Sequence, residues 1–454
     1  MTLSSTGDPG AAARRVAIVG TGARAQMFTR ALAERDHTEV VALSDVSPTR
    51  MAVHNRILTR EHGRPAAAQW DPGDIDRMLR AERVDTLVVC TVDALHARHI
   101  LAGLDAGCRV ITEKPMVTTA EQARQVLDAA DRTGGDLAVT FNYRFNPLHS
   151  AVHELLAAGE IGDVLSVHFE WMLDVRHGAD YFRRWHRDRR NSGGLMVHKS
   201  GHHFDLVNWW LGAEPVTVYG VGRLAFYGAP NGTRTGLRRE YERAHGSAAA
   251  ADDPFALQLD ANPELRDLYL QAEGDDGYVR DRNVFEGDIS IEDDMAVLVT
   301  YDTGASMTYH LTAYAPWEGY RIAFNGTRGR IELEVEENTW AAPATQATQA
   351  TQDAQETGAT SSAVLHGDAE AENAGSYRLR VRPMWAPPRD VEVEFSHGGH
   401  GGGDVRMLAA LFDPGAPGAE MLATPRDGVH ALLTGLAAGQ SFSTGLPVQV
   451  KSLL

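Results

Sequence analysis

A cluster of three histidines, a lysine and an aspartate occupies nine positions in the stretch VHKSGHHFD, residues 197–205. The segment that follows, FDLVNWWLG, has apolar residues at helical spacing and ends on a glycine, which predicts a helix. If that helix reaches back to His198, then His198 and His202 lie four residues apart on one face. Two histidines at this spacing can bind a metal ion, with His203, Asp205 or a group distant in the sequence as a third ligand, or can exchange protons near neutral pH.

A lysine in a different part of the chain could also take part in proton transfer. The segment CRVITEKP has the pattern of a short strand and ends in Glu113, Lys114 and Pro115. Ligands of parallel sheets bind outside the carboxyl ends of the strands. A lysine held there could donate a hydrogen bond to a reacting hydroxyl, whereas Lys114 on its own is better explained as a solvated residue at a strand end.

Small residues near the start of the chain predict a dinucleotide site. The segment VAIVGTGARAQMF places Gly20, Gly22 and Ala25 in the G-x-G-x-x-G/A pattern, between an apolar strand and a helix. Gly20 permits a tight turn, Gly22 lets the backbone approach a pyrophosphate, and Ala25 allows the helix to pack closely on the strand. The N-terminal N–H groups of the helix favour phosphate.

An acidic residue strengthens the dinucleotide interpretation. Asp45 ends the second apolar strand, 20 residues beyond Ala25. A carboxylate at this place accepts hydrogen bonds from the adenosine ribose and repels a 2′-phosphate, which predicts NAD rather than NADP. Arg50 weakens this preference slightly, and the alternative is an ordinary strand–turn–helix in which Asp45 caps a helix.

Alternating strands and helices in the first third of the chain would position these groups. The apolar strand-like segments are RVAIVGT, HTEVVALSD, VDTLVVCTV, CRVITEKP and LAVTFNYRF. Helical patterns between them predict right-handed crossovers and a parallel sheet covered on both faces, the α/β class. We expect a Rossmann dinucleotide-binding domain over residues 15–142, preceded by a short disordered lead-in at residues 1–14.

The remainder of the chain, residues 143–454, has a different pattern. A helix at LHSAVHELLAAGEIG precedes longer segments with period-two alternation and turn glycines, among them TVYGVGRLAFYG and RDVEVEF. This pattern predicts a second α/β domain built on a large, mostly antiparallel sheet. The polar, low-complexity run at residues 341–363 cannot bury enough apolar surface to fold, and it is predicted to be an insertion between strands.

Charge and cysteine content exclude several classes of protein. The formal net charge of −18 argues against a nucleic-acid partner, which needs clustered Lys and Arg. The two cysteines lie in apolar runs, so no disulfide framework is expected and a reducing cytoplasm is the predicted location. No apolar run has membrane-spanning length, and the first residues lack the apolar core of a signal peptide.

Three segments together resemble the Gfo/Idh/MocA oxidoreductases: GTGARA, CTVDALHARHILAGLDAGCRVITEKP and the later GG…GHHFDLVNWWLG. The resemblance covers nearly all the chain apart from the insertions. It implies an N-terminal Rossmann domain and a C-terminal α/β domain whose open sheet supports homo-oligomers, either dimers or tetramers. It also implies NAD(P)-dependent oxidation or reduction of sugars and cyclitols.

The resemblance implies roles for individual residues. Lys114 matches a lysine that binds substrate and assists proton transfer, and His202 matches the family's histidine. His198 stands where the family has an aspartate, so a fixed negative charge is missing, and a catalytic relay shared by Lys114, His198 and His202 is expected. No metal is expected, because NAD carries the hydride chemistry and Lys199 would oppose a nearby cation.

The remaining predicted site residues fall into two sets. The expected cofactor contacts are Gly20, Thr21, Gly22, Arg24, Ala25, Asp45, Thr91, Asp93, His96, Glu113, Lys114 and Asn142. The expected substrate contacts are Tyr143, Arg144, Tyr181, Arg184, Trp185, His186, Lys199, His203 and His400. Within the histidine cluster, His203 is the residue for which a purely structural role competes most strongly.

These inferences predict an NAD-dependent oxidoreductase that acts on a secondary hydroxyl of a sugar, glycoside or cyclitol. An alternative is an NAD-dependent glycoside hydrolase that works by transient oxidation, elimination, water addition and re-reduction, since the histidine-rich site has bases to spare. A second alternative is a catalytically inactive NAD-binding regulator, which only the missing aspartate supports.

Overall fold

The computed structural model describes residues 13–341, 375–394 and 399–454. The predicted lead-in lies outside the described residues up to residue 12, and the first strand begins at Arg14. The predicted insertion also lies outside them, apart from residue 341. The two predicted sheets are both present, so the α/β class with one parallel and one mostly antiparallel sheet is confirmed.

The first sheet has six parallel strands in the order β3-β2-β1-β4-β5-β6. The strands are β1 (Arg14–Val19), β2 (Thr38–Ser44), β3 (Ala68–Trp70), β4 (Thr86–Val89), β5 (Arg109–Thr112) and β6 (Leu137–Val139). The strand order reverses between β1 and β4, and ligands of such sheets bind in the crevice at this point. The glycine loop after β1 and the lysine after β5 therefore lie at the same edge of the sheet.

Helices connect these strands. They are α1 (Ala23–Ala33), α2 (Pro48–Arg56), α3 (Ile75–Ala81), α4 (His96–Asp105) and α5 (Ala120–Thr133), with shorter turns of 3-10 or π helix at Ile57–Glu61, Pro72–Asp74, Asp93–Leu95 and Asn142–Phe145. Local sequence determines their ends. The hydroxyl of Thr119 accepts a hydrogen bond from the Gln122 N–H at the start of α5, and Gly134 ends that helix in the left-handed conformation.

The second sheet has nine strands in the order β14-β13-β12-β11-β7-β10-β9-β8-β15. The strands are β7 (Val164–Asp174), β8 (Pro215–Arg223), β9 (Asp294–Tyr301), β10 (Ser306–Ala315), β11 (Glu318–Gly326), β12 (Gly329–Asn338), β13 (Ser376–Pro383), β14 (Arg389–Asp390) and β15 (Val448–Gln449). All neighbours are antiparallel except β7 and β10. Buried and more exposed side chains alternate along β9 and β10, because one face of the sheet is covered and the other is open.

The remaining helices come from several parts of the chain. They are α6 (Pro147–Ala157), α7 (Val175–Arg183), α8 (Arg189–Ser192), α9 (Leu195–His198), α10 (Ser200–Leu211), α11 (Ala229–Thr235), α12 (Pro263–Leu265), α13 (Glu273–Asp276), α14 (Gly403–Phe412) and α15 (Pro425–Thr444). Helix α15 starts with a capping box between Thr424 and Asp427 and contacts both α10 and β8. The predicted helix of the histidine cluster is α10, and α9 directly precedes it.

Two predicted strands are shorter than their sequence patterns. Strand β8 ends at Arg223, whereas the pattern continues to Gly228. The chain leaves the sheet because the Asp293 carboxylate accepts hydrogen bonds from the N–H groups of Ala225, Phe226 and Tyr227. Strand β14 has only two residues of the predicted RDVEVEF segment.

Helix α14 belongs to the C-terminal part of the sequence but packs on the first sheet. Its buried apolar residues join the core that surrounds β1 and α1. The rings of Phe28 and Phe412 meet edge to face at 6.5 Å, and the guanidinium of Arg35 donates to the carboxylate of Asp413. The first sheet is therefore completed by a helix that follows it by more than half of the chain. None of the helices in the described ranges has the length and hydrophobicity that a membrane crossing needs.

Candidate active site

The glycine loop after β1 leaves open space where a phosphate could approach. Gly20 has φ +82°, and a Cβ there would lie 2.5 Å from the backbone nitrogen of Thr91, so only glycine fits this turn. A Cβ on Gly22 would meet no atom of the described residues within 4 Å. Ala25 is fully buried under the sheet. The loop thus has the tight turn and the open approach that its sequence pattern predicts.

Asp45 is held rigidly at the end of β2. Its carboxylate accepts hydrogen bonds from the N–H of Thr21 at 2.6 Å, from the N–H of Ser47 at 2.8 Å and from the Arg50 guanidinium at 3.1 Å. The hydroxyl Oγ of Thr21 is buried and has no hydrogen-bond partner among the described residues. An unpartnered buried hydroxyl beside an open glycine loop and a fixed carboxylate fits a dinucleotide, with Asp45 on its ribose side.

Lys114 lies just after β5, and its side chain points toward the histidine cluster. The peptide bond between Lys114 and Pro115 is cis. The Lys114 ammonium lies 3.2 Å from the carbonyl oxygen of His198 and 3.3 Å from its ring Nε2. Burial lowers the pKa of Lys114 to about 8, although the carboxylates of Asp93 and Glu113 oppose the shift. This lysine can therefore exchange a proton close to neutral pH.

His198 is oriented by a carboxylate from another loop. Its ring Nδ1 lies 2.5 Å from Oδ2 of Asp93, and both side chains are buried. Burial lowers the pKa of His198 well below its usual value and raises that of Asp93, while the nearby Lys114 ammonium opposes the second shift. Because an ammonium only donates, Nε2 accepts from Lys114, and the ring hydrogen sits on Nδ1 and is donated to Asp93.

The Asp93 carboxylate supplies a negative charge next to His198, the residue that stands in place of the expected aspartate. His198 stands where the family resemblance leads one to expect an aspartate, and the sequence alone suggested that the negative charge was absent. The structure places the carboxylate of Asp93 one hydrogen bond away from that position. Asp93 had been predicted to contact cofactor, and its contact here is with the histidine.

His96 packs between the loop that follows β4 and the loop that follows β5. The His96 ring lies between two backbone carbonyls, with Nδ1 2.9 Å from the oxygen of Pro115 and Nε2 3.0 Å from that of Thr91. Burial lowers the pKa of His96. This side chain joins the two loops that carry Asp93 and Lys114, so it holds their spacing.

Arg24, in the first turn of α1 after the glycine loop, connects this loop to helix α14. Its Nε donates to Glu113 at 2.7 Å, and its Nη2 donates to Asp404 at 3.0 Å. The side-chain amide of Asn142 donates to the same Asp404 carboxylate at 2.8 Å. Two predicted cofactor residues, Arg24 and Asn142, therefore meet at Asp404, which was not among the predicted site residues.

Aromatic and basic side chains of the 176–194 region surround His198. The ring of Tyr181 lies 5.7 Å from that of His198, and the ring of His186 lies 4.1 Å from it. Trp185 stacks on His186 at 3.5 Å, while the Arg184 guanidinium lies over Tyr181. Burial lowers the pKa of His186, and its Nδ1 has no hydrogen-bond partner in the described part of the chain.

His202 belongs to a second group, centred on Tyr143. The His202 ring stacks on the Tyr143 ring at 4.4 Å, and the Lys199 ammonium donates to the Tyr143 hydroxyl at 3.0 Å. Lys199 also lies over the ring of Trp171. Burial lowers the pKa of Lys199, although Glu318 opposes it.

Two predicted substrate residues have partners inside the protein. The guanidinium of Arg144 donates to both oxygens of Asp205, at 2.8 and 2.6 Å, and both side chains are buried. The ring Nδ1 of His203 lies 2.6 Å from the hydroxyl of Tyr309, and the ring stacks on Trp171. These contacts account for Arg144 and His203 without a substrate.

His400 lies in the short helix Gly399–Gly402, and its side chain lies outside what the structure describes. Within the described ranges, no group of three or more His, Cys, Asp or Glu side chains is arranged to hold a metal ion. The spacing of His198 and His202 does not translate into shared ligation, because His198 faces Asp93 and His202 stacks on Tyr143.

Comparison with known proteins agrees with this architecture. Models of an oxidoreductase family match the chain twice, as its NAD-binding Rossmann fold over residues 14–141 and as its C-terminal alpha/beta domain over residues 153–450. The chain is 34% identical over 455 residues to the Bacillus subtilis protein named "Putative oxidoreductase YteT", covering 97% of this chain and 98% of that protein.

Two further similarities are more limited. D-glucoside 3-dehydrogenase of Escherichia coli is 34% identical over 151 residues, which cover 33% of this chain and 41% of that protein. The crystal structure of aldose-aldose oxidoreductase from Caulobacter crescentus superposes with a TM-score of 0.60 at 16% identity, covers 96% of this chain and 99% of that one, and shows the fold alone. From both domain matches and the full-length relative, the chain belongs to the Gfo/Idh/MocA family of oxidoreductases.

Proposed function

We propose that this oxidoreductase moves a hydride between NAD and a secondary hydroxyl of a sugar, glycoside or cyclitol. The observation that carries the proposal is the contact of the Lys114 ammonium with a neutral His198 that Asp93 orients. This proton-handling group follows β5 at the edge of the sheet where the glycine loop opens. The E. coli relative is named for the oxidation of a D-glucoside, which supports a sugar hydroxyl as the reacting group.

The protein side of the reaction concerns one proton. NAD supplies the hydride chemistry when it is bound. In the oxidative direction, neutral Lys114 takes the hydroxyl proton, and Nε2 of His198 is placed to receive it from Lys114. Asp93 keeps the His198 ring in the tautomer that leaves Nε2 free to accept. In the reductive direction, the protonated lysine returns the proton.

The neighbouring side chains suit a ring-shaped, hydroxylated substrate. Trp185 and Tyr181 can stack on the C–H faces of a sugar, and the Arg184 guanidinium can bind its hydroxyl groups. We assign the choice of NAD over NADP to Asp45, which accepts hydrogen bonds from a ribose and repels a 2′-phosphate. Arg50 offsets only part of the negative charge here, because its single positive charge is shared between Asp45 and Asp276.

A redox-neutral glycoside hydrolase is the second candidate. That reaction needs a further base for the acidic C–H group beside the oxidised carbon. His186 lies against His198, burial keeps its ring neutral by lowering its pKa, and its Nδ1 has no hydrogen-bond partner among the described residues, so it is placed to serve as that base. An inactive regulator is not supported, because Lys114, His198 and Asp93 form a complete proton-handling group.

Product analysis tests these candidates. The purified protein is incubated with NAD and a panel of sugars, cyclitols and chromogenic glycosides, and NADH and released aglycone are followed by absorbance. Stoichiometric NADH with a keto-sugar supports the dehydrogenase, and aglycone release without NADH supports the hydrolase. If NAD binds and no member of the panel yields either product, the proposed substrate class is wrong.

We also propose that the open face of the second sheet pairs with a second copy of the chain. This face exposes Tyr219, Val221 and Leu298. Charges of both signs surround them, including Arg321 and Glu334. A face that carries both signs can pair with itself about a two-fold axis.

A further inference from the structure

A segment of the C-terminal part of the chain, residues 259–280, lies against the glycine loop and the end of β2. It contains the short helices α12 and α13, a 3-10 turn at Leu259–Ala261 and a π turn at Arg266–Leu270. Leu265 and Leu268 are buried and anchor it. It was not recognised in the sequence as part of the dinucleotide site, because it carries no motif.

At the glycine loop, this 259–280 segment contributes a tyrosine hydroxyl. The backbone N–H of Ala23, the first residue of α1, donates to the Tyr269 hydroxyl at 3.3 Å. N–H groups at this end of a helix are those that bind a pyrophosphate. A hydroxyl that accepts this bond still has its own hydrogen to donate, so Tyr269 can place a second donor beside the Ala23 N–H.

The Tyr269 ring is held in place from within the segment. The Arg280 guanidinium lies over it at 5.6 Å, and the ring of Tyr278 is 6.2 Å away. Arg280 is in turn buried and donates to Asp180 at 2.6 Å. The hydroxyl therefore has a fixed position, and a fixed donor loses less entropy when a ligand binds.

At the end of β2 the segment contributes two carboxylates. Asp275 accepts hydrogen bonds from the Ser47 hydroxyl at 2.5 Å and from the Thr49 N–H at 3.2 Å. Asp276 pairs with Arg50, the same guanidinium that binds Asp45. Three carboxylates thus share this corner with one arginine. A 2′-phosphate brings further negative charge and would be repelled.

We propose that the 259–280 segment completes the cofactor site, with Tyr269 binding the pyrophosphate of NAD and with Asp275 and Asp276 reinforcing the exclusion of NADP. The inference rests on the proposed use of NAD. If the 259–280 segment closes the site in this way, the cofactor is released slowly, because NAD is held between the glycine loop and a segment of the C-terminal part of the chain.

The rate of NADH release tests the role of Tyr269 without measuring turnover. NADH fluorescence is followed by stopped flow after mixing the NADH complex with excess NAD. We expect Tyr269→Phe to release NADH roughly tenfold faster than wild type, as loss of a hydrogen bond to a charged group would cause. Tyr301→Phe, which removes a buried hydroxyl at the end of β9 in the second sheet, is the matched control and is expected to release NADH at the wild-type rate. Equal rates for wild type and Tyr269→Phe would overturn the assignment of Tyr269.

Cofactor choice tests the two carboxylates. Equilibrium titration gives the Kd of NADH and NADPH for wild type and for the double variant Asp275→Asn/Asp276→Asn. We expect the NADPH:NADH ratio of Kd values to fall roughly tenfold in the variant, since two of the three carboxylates lose their charge. An unchanged ratio would overturn this part of the proposal. A wild-type protein that binds neither nucleotide would instead contradict the proposed function itself.

Discussion

The ring Nδ1 of His198 lies 2.5 Å from the carboxylate of Asp93, although 105 positions separate the two residues in the chain. This contact directs the opposite ring nitrogen, Nε2, toward Lys114. Asp93 also raises the pKa of Lys114, whereas burial lowers it. The same carboxylate therefore sets both the orientation of the histidine and the charge of the lysine.

Asp93→Asn is expected to change the pH profile as well as the rate. The amide keeps a similar shape but removes the negative charge, so the pKa of Lys114 should fall and the rising limb of kcat/KM for oxidation should move to lower pH. Loss of the defined His198 tautomer should lower kcat roughly 10²-fold. The profile is measured beside that of Asp136→Asn, a control at an exposed position before β6, at the opposite edge of the first sheet from Lys114. Superimposable profiles for wild type and Asp93→Asn would contradict the assigned role.

The wild-type enzyme should oxidise its substrate faster as pH rises through the pKa of Lys114. This pKa is about 8, and only the neutral amine above it can accept the hydroxyl proton. Below that pH, kcat/KM should fall about tenfold for each pH unit. Lys114→Met should lower turnover by about 10²- to 10⁴-fold and leave NAD binding largely intact. Turnover that survives this substitution would rule out Lys114 as the proton acceptor.

Two glycine substitutions should separate folding from cofactor binding. An alanine at Gly20 would place its Cβ 2.5 Å from the Thr91 nitrogen in a left-handed turn, so Gly20→Ala should be strongly destabilised. An alanine at Gly22 meets no described atom within 4 Å, so Gly22→Ala should keep the wild-type melting temperature. Its methyl group enters the open approach to the loop and should weaken NADH binding. Fluorescence titration and thermal unfolding measure the two effects, and wild-type affinity in Gly22→Ala would be inconsistent with a pyrophosphate there.

Local patterns in the sequence were sufficient to predict both sheets and the glycine loop. Strand periodicity, Gly20, Gly22 and the strand-end Asp45 are short-range features, and the chemistry of each residue depends on its near neighbours. The position of Lys114 at a strand end followed from the same reasoning. These features fix the edge of the sheet at which the site lies.

The partners of the site residues could not be predicted in this way. Arg24 reaches Asp404 across 380 positions, and Ala23 reaches Tyr269 across 246. Such contacts depend on how the two sheets pack against each other, and the helix or strand periodicity of apolar residues does not encode that packing. For the same reason the spacing of His198 and His202 indicated a shared ligand face, whereas tertiary packing turns the two rings toward different neighbours.

Arg144 is expected to contribute to stability rather than to substrate affinity. Arg144→Met would leave the buried Asp205 carboxylate without its partner, which should lower the free energy of unfolding by about 3–5 kcal/mol. Denaturant unfolding gives this value, and Arg144→Met/Asp205→Leu should recover much of it because no buried charge remains. The KM of folded Arg144→Met should stay near wild type. A raised KM without loss of stability would restore Arg144 as a substrate contact.

The proposed pairing of the open sheet face predicts a change in mass when charges of one sign are added there. The double variant Val221→Asp/Leu298→Asp should have a smaller mass than wild type, because two exposed apolar side chains that the proposed pairing would bury become negative charges. Light scattering coupled to gel filtration measures the mass. Asp at the exposed Val405, on helix α14 and away from this sheet, is the control. An unchanged oligomer in the double variant would place the interface elsewhere.

The packing of α14 on the first sheet has a consequence for how the protein is made. A ribosome completes all six strands of this sheet by residue 139, but the helix that covers part of them ends at Phe412. Until α14 has been synthesised, the apolar surface around Phe28 is exposed on the nascent chain. Exposed apolar surface on an incompletely folded chain promotes aggregation. The first sheet thus receives its final cover only after strands β7 to β14 of the second sheet have been synthesised, and an N-terminal fragment expressed alone would keep that surface exposed.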